Sequence, residues 1–130
     1  MFSWNNKKLV LVLRLLLGAI LVVFGLNGFF GFLPSLGPMS AAAGNFFGAI
    51  AATGYFLPVL KSFEILIGLM FLFNRAVPLA TLMLVPISLN ITLFHLALAP
   101  AAGGAAYAVA ILNLYFVLVF KKKYMELLKA

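Results

Sequence analysis

The sequence predicts an all-α integral membrane protein: a bundle of four transmembrane helices with both termini cytoplasmic. A short interfacial or re-entrant helix is expected between helices one and two. Three observations predict this. Hydrophobic residues make up 66% of the chain and charged residues only 8%, against about 25% charged in ordinary soluble domains. Mean hydropathy is +1.23, and so few charges would not cover a soluble core. The cations flank apolar runs, which is the positive-inside pattern of membrane helices and not a basic groove for nucleic acid. At 130 residues the chain is read as one domain, 1–130.

A membrane helix needs roughly 20 mainly apolar residues. The first such run covers residues 9–33 behind Lys7 and Lys8. It far exceeds the roughly 7–15 residues of a signal-peptide core, so it reads as a retained helix. Its one charge, Arg14, lies near enough to the end to snorkel. Residues 34–55 follow without a single charge. There Ser40 is placed to cap a short helix, and Phe46, Phe47 and Ile50 fall at helical spacing. An irregular apolar loop is the alternative for this stretch.

The second membrane helix covers residues 56–73, with Pro58 in its first turn, where proline is tolerated. Asn74-Arg75 is a tight turn, so the third helix, residues 76–99, should return antiparallel. Pro86 lies inside it and should kink it by removing a backbone hydrogen bond. Pro100 to Gly103 is a second short break before the fourth helix, residues 104–120. Lys7 and Lys8, Arg75, and Lys121 to Lys123 then fall on one side of the bilayer, and that side reads as cytoplasmic. The last cluster also suits anionic lipid headgroups. Gly18, Gly25 and Gly28 lie on roughly one stripe with Arg14, and they read as close-packing positions.

Polar residues at membrane depth are costly and mark sites. Glu64 is the only acid between Met1 and Met125. Lys61 precedes it by three residues and shares its helix face. At a rise of about 1.5 Å per residue, Glu64 lies about 16 Å along its helix from Arg75 and Lys61 about 21 Å. On the same measure Asn90 lies about 22 Å and His95 about 30 Å up helix three, and Asn27 about 28 Å up helix one. Asn113 sits lower, about 12 Å from Lys121. The kink at Pro86, Asn90 one turn beyond it and the nearby Lys61–Glu64 pair together suggest a small polar cavity. Two readings of the pair stay open. It either fixes helix register as a structural ion pair, or it forms part of a site that binds a polar headgroup or passes a proton.

Several chemistries are excluded or unsupported. The chain has no cysteine, so it has no disulfide, thiolate ligand or thiol redox chemistry. One histidine and one nearby carboxylate do not make a metal site. No phosphate-binding glycine loop, Ser-His-Asp set or paired carboxylates are present, and no catalytic residue is assigned. No haem, flavin or iron–sulfur ligand set is recognisable.

The order of short motifs resembles the DoxX family. The resemblance is carried by Arg14-Leu15, Phe24-Gly25 and Asn27, then Thr53-Gly54-Tyr55, Pro58, Lys61 and Glu64. It continues through Asn74-Arg75, Pro78-Leu79, Pro86, Asn90-Ile91, Phe94-His95 and Pro100. It runs over nearly the whole chain. Many members carry a lysine soon after the first-helix glycine, where this chain reads Gly25-Leu26-Asn27-Gly28. The resemblance implies a small four-helix protein of the bacterial inner membrane associated with redox complexes; the family takes its name from a subunit of a thiosulfate:quinone oxidoreductase. The expected function is therefore a membrane subunit that binds a quinone or lipid-like ligand in a polar pocket. Lys61, Glu64, Asn90, His95 and Asn27 are the candidate ligand-binding or proton-carrying residues. No cofactor is expected on the chain itself beyond a quinone. The expected partners are the lipid bilayer, proteins of a redox complex and a second copy of the chain. A non-enzymatic partner or assembly factor of a larger membrane complex is the alternative, and a small transporter ranks last.

Overall fold

The computed structural model describes residues 6–33 and 40–129. Residues 34–39, the start of the predicted linking segment, lie outside the described residues. The described chain is helical. In order it forms α1 (Lys7–Phe30), α2 (Ala41–Ala52), α3 (Phe56–Phe73), α4 (Val77–Leu98), a 3-10 turn at Pro100–Ala102, α5 (Gly104–Val119) and α6 (Lys121–Leu128). Among the described residues there is no strand. α1, α3 and α4 are each long and apolar enough to cross a membrane, and α5 with α6 would make a fourth crossing if the bent pair is one span.

Local chemistry sets each boundary. Asn6 caps α1 by accepting from the Leu9 amide at 2.9 Å. α1 stops at Phe30, three residues before the predicted end, because Gly31 takes a left-handed conformation (φ 60°) and closes the helix on the Asn27 carbonyl, a standard glycine stop. Ser40 caps α2 through the Ala43 amide at 3.1 Å, as its position predicted. Thr53 and Gly54 (φ 78°) turn the chain into α3, and the Thr53 hydroxyl accepts from the Phe56 amide at 3.2 Å. The α3–α4 turn places Asn74 and Ala76 both at positive φ, 55° and 49°. Asn tolerates that region, whereas Ala adopts it at a cost.

The fourth helix matches its expected bounds to within one residue, and a further short helix follows it. α5 ends at Val119, and the chain then bends by 68° into α6. Lys121 to Lys123 cannot continue into an apolar phase, and they open a short, charged helix instead.

Packing follows the small residues. α1 lies along α3, and α4 along α5. A Cβ built on Gly18 would stand 2.9 Å from the Gly68 carbonyl oxygen, and one on Gly68 would stand 2.9 Å from that of Gly18. The two backbones therefore touch, as small residues permit between membrane helices. The core joins Leu17 and Leu21 of α1 to Ile67 and Phe71 of α3, Leu84 of α4 and Phe116 of α5. Phe71 and Phe116 meet edge to face with centroids 5.3 Å apart. Outward positions such as Val12, Leu66, Leu96 and Ile111 are apolar and exposed, while Glu64, Thr81, Ser88 and Asn113 are buried. Apolar outside and polar groups inside is the arrangement expected where the surrounding solvent is hydrocarbon.

Candidate functional site

The site begins with Lys61 and Glu64 on α3. Lys61 Nζ stands 3.0 Å from Glu64 Oε2. Glu64 is 4% exposed, and its Oε2 takes no aligned hydrogen bond among the described residues. The contact is thus one of charge and distance more than of hydrogen-bond geometry. An ammonium carries three N–H donors, so Lys61 has capacity beyond this pair.

What holds Lys61 in place is a glycine on the neighbouring helix. A Cβ on Gly28 would lie 2.4 Å from Lys61 Cγ and 2.6 Å from Cδ. The lysine stem therefore crosses α1 where α1 has no side chain. Gly25 does the same for α3 one turn lower, where a Cβ would meet Ile65 Cγ1 at 2.6 Å. Two of the three first-helix glycines thus seat the segment that carries the ion pair.

Two cavities share Lys61 and His95. The outer cavity, of about 390 Å³, lies between α2, α3 and α4. Phe46, Phe47 and Ile50 of α2 cover it, and Lys61, Asn90 and His95 supply its polar groups. The inner cavity, of about 150 Å³, lies between α1, α3, α4 and α5, and it holds Glu64. The two also share Ile87 and Ile91. Both walls are mainly apolar.

The predicted site residues fall out as follows. Lys61, Asn90 and His95 converge on the outer cavity, although Asn90 and His95 lie about 140° apart around an ideal helix. Asn90 donates to the Pro86 carbonyl at 2.8 Å. That carbonyl sits one turn back on the same helix, so Asn90 braces the segment around the internal proline. His95 Nδ1 lies 3.3 Å from the Ala99 carbonyl, and its ring packs edge-on against Phe94 at 5.1 Å. Glu64 faces the inner cavity with Lys61 and His95. Asn27 lines neither cavity. Its Oδ1 accepts from the Leu33 amide at 2.7 Å, which secures the chain leaving α1.

Other polar contacts escaped sequence reasoning. Arg14 donates from Nη1 to the carbonyls of Phe71, by a very short contact, and Leu72, at 3.2 Å. These are among the last carbonyls of α3, which have no intrahelical partner. Asn113 accepts from Ser88 at 2.7 Å and donates to the Thr81 carbonyl at 3.0 Å, which ties α5 to α4. A small-residue face pairing Thr81 with Ser88 was the available signal. Among the described residues no cluster of three metal-ligating side chains exists. The chain matches no family model, no curated protein and no solved structure.

Proposed function

We propose that this chain is a small DoxX-like membrane subunit that binds a quinone or a similar lipid-like molecule in the outer cavity. The observation that carries the reading is the convergence of Lys61, Asn90 and His95 on one half-open, apolar cavity of about 390 Å³. Ligand pockets of about 300–1,000 Å³ with few, convergent polar groups are typical of small-molecule sites. A ring bearing carbonyl oxygens suits such a chamber: Lys61 donates to an oxygen, His95 donates or accepts, and the phenylalanines of α2 and α4 lie against the ring. Glu64 stands behind Lys61, with Oε2 3.0 Å from Nζ, and orients it. Electrons, where they pass, come from a partner protein of a redox complex. The proposed setting is the bacterial inner membrane, with four crossings and both termini cytoplasmic, on the cation pattern.

The test is a titration of purified protein with a short-chain benzoquinone, followed by melting temperature. A ligand at about 100 times its Kd stabilises by about 2.7 kcal/mol, which is a clear upward shift. The cavity-filling variant Ile50→Trp should lose that shift and still fold. No shift in the unmodified protein at saturating quinone overturns the reading.

A further inference from the structure

We propose that α6 is a binding site for acidic phospholipid headgroups and lies in the plane of the leaflet surface. It begins with three exposed lysines, Lys121, Lys122 and Lys123. They occupy the first turn of a helix, where the macrodipole is already positive. The chain offers little counter-charge of its own: one exposed carboxylate, Glu126, against the cations at this end. Its two acids are Glu64, buried inside the bundle, and Glu126, whose Oε1 meets Lys129 Nζ at 3.5 Å. The same end of the bundle gathers more cations. Arg14 sits on the last carbonyls of α3, and Arg75 is exposed in the turn that follows. The Tyr124 hydroxyl ties α6 to the start of α4 through the Pro78 carbonyl at 2.7 Å. Positive charge concentrated this way takes its anions from outside.

The apolar side chains identify which anions. At 100° per residue, Tyr124, Met125, Leu127 and Leu128 fall within about 160° of arc, with Lys122, Lys123, Glu126 and Lys129 on the other side; Lys121 falls inside the apolar arc, in the first turn, and its long stem must snorkel to reach the headgroups. Met125, Leu127 and Leu128 are 57%, 71% and 82% exposed. A soluble polyanion would neutralise the lysines and leave these side chains in water. A leaflet surface satisfies both faces, with phosphates against the lysines and acyl chains against the leucines, as for interfacial amphipathic helices. The 68° bend from α5 sets α6 closer to the membrane plane than to its normal when α5 crosses along the normal; on this proposal the 16 residues of α5, about 24 Å, make the fourth crossing by themselves. This assignment is independent of the cavity and its ligand.

The experiment is amide hydrogen exchange of the full-length protein in nanodiscs, with phosphatidylcholine alone or mixed with phosphatidylglycerol. Exchange over residues 121–128 should slow in the anionic discs and recover at high salt. Lys122→Gln with Lys123→Gln should weaken the effect by about fivefold per lysine. Leu127→Ser with Leu128→Ser should raise exchange in both lipids. Unchanged protection of α3 in every variant shows that the bundle is intact. Equal protection of α6 in the two lipids overturns the proposal. So does protection that appears only when RNA or an acidic protein is added.

Discussion

The proposed function gives Lys61 and Glu64 two roles, one structural and one in binding, that substitutions should separate. Lys61→Met leaves a buried carboxylate without its cation, and breaking a buried pair costs about 3–5 kcal/mol. The double variant Lys61→Met with Glu64→Gln removes both charges and should recover most of that stability. Neither should bind quinone, because the donor to the headgroup is gone. Equilibrium unfolding in detergent beside the quinone titration checks both halves. Equal stability of Lys61→Met and the unmodified protein would remove the structural role. Gly28→Val probes the same lysine from the facing helix. Its side chain occupies the space now held by Lys61 Cγ and Cδ. The lysine stem is flexible, so the expected outcome is a weakened quinone response with a small change in melting temperature.

At the scale of elements, polar contacts at helix ends and seams carry the organisation. Arg14 closes the C-terminus of α3 from α1. Arg14→Ala should destabilise by about 1.5–3 kcal/mol, the range for a hydrogen bond to a charged donor. Arg14→Lys should recover only part, since an ammonium lacks the guanidinium fork. Unfolding of both variants in detergent measures the difference. Asn113 joins α5 to α4 through Ser88 and Thr81. Interhelical hydrogen bonds in membranes average about 0.6 kcal/mol and reach about 1.7. Asn113→Leu should therefore cost no more than that, and a larger loss would mean that the leucine does not fit the seam. α2 is held differently. The Ser40 hydroxyl reaches the Leu98 carbonyl at 2.8 Å, and Phe46 packs on Phe94 with centroids 5.6 Å apart. These few contacts fix the helix that covers the outer cavity.

For the whole molecule, sidedness is the decisive measurement. The chain has no cysteine, so single cysteines at Asn6, Arg75, Gly103 and Leu128 report position without background. Membrane-impermeant maleimide applied to cells and to inverted vesicles should label positions 6, 75 and 128 from the same side and position 103 from the other. Labelling of 103 together with the rest would reduce the crossings to fewer than four. The pattern of apolar runs made the helices legible beforehand, because hydrocarbon demands long apolar stretches and short polar turns. Ser40, Asn74 and Pro100 marked the boundaries through their own backbone chemistry. The bend after Val119 was hidden, since the fourth apolar run ends at the Lys121–Lys123 cluster and its pattern gives no sign of a further helix.

The Lys61–Glu64 pair was legible too, because both residues lie on one helix and their separation follows from its period. What surrounds them was not. Asn27 and Asn90 looked alike as polar groups at depth, yet Asn27 closes a helix end and Asn90 faces a cavity. Choosing between them depends on which helices are neighbours, and a single chain's spacing holds no record of that. The sequence by itself determined the helical class, the apolar spans and the Lys61–Glu64 pair, because these are local consequences of composition and period. Only the tertiary structure decided that Lys61 crosses Gly28, that α2 covers the chamber and that His95 borders both cavities. Those facts arise from contacts between distant segments, where shape and packing select the arrangement.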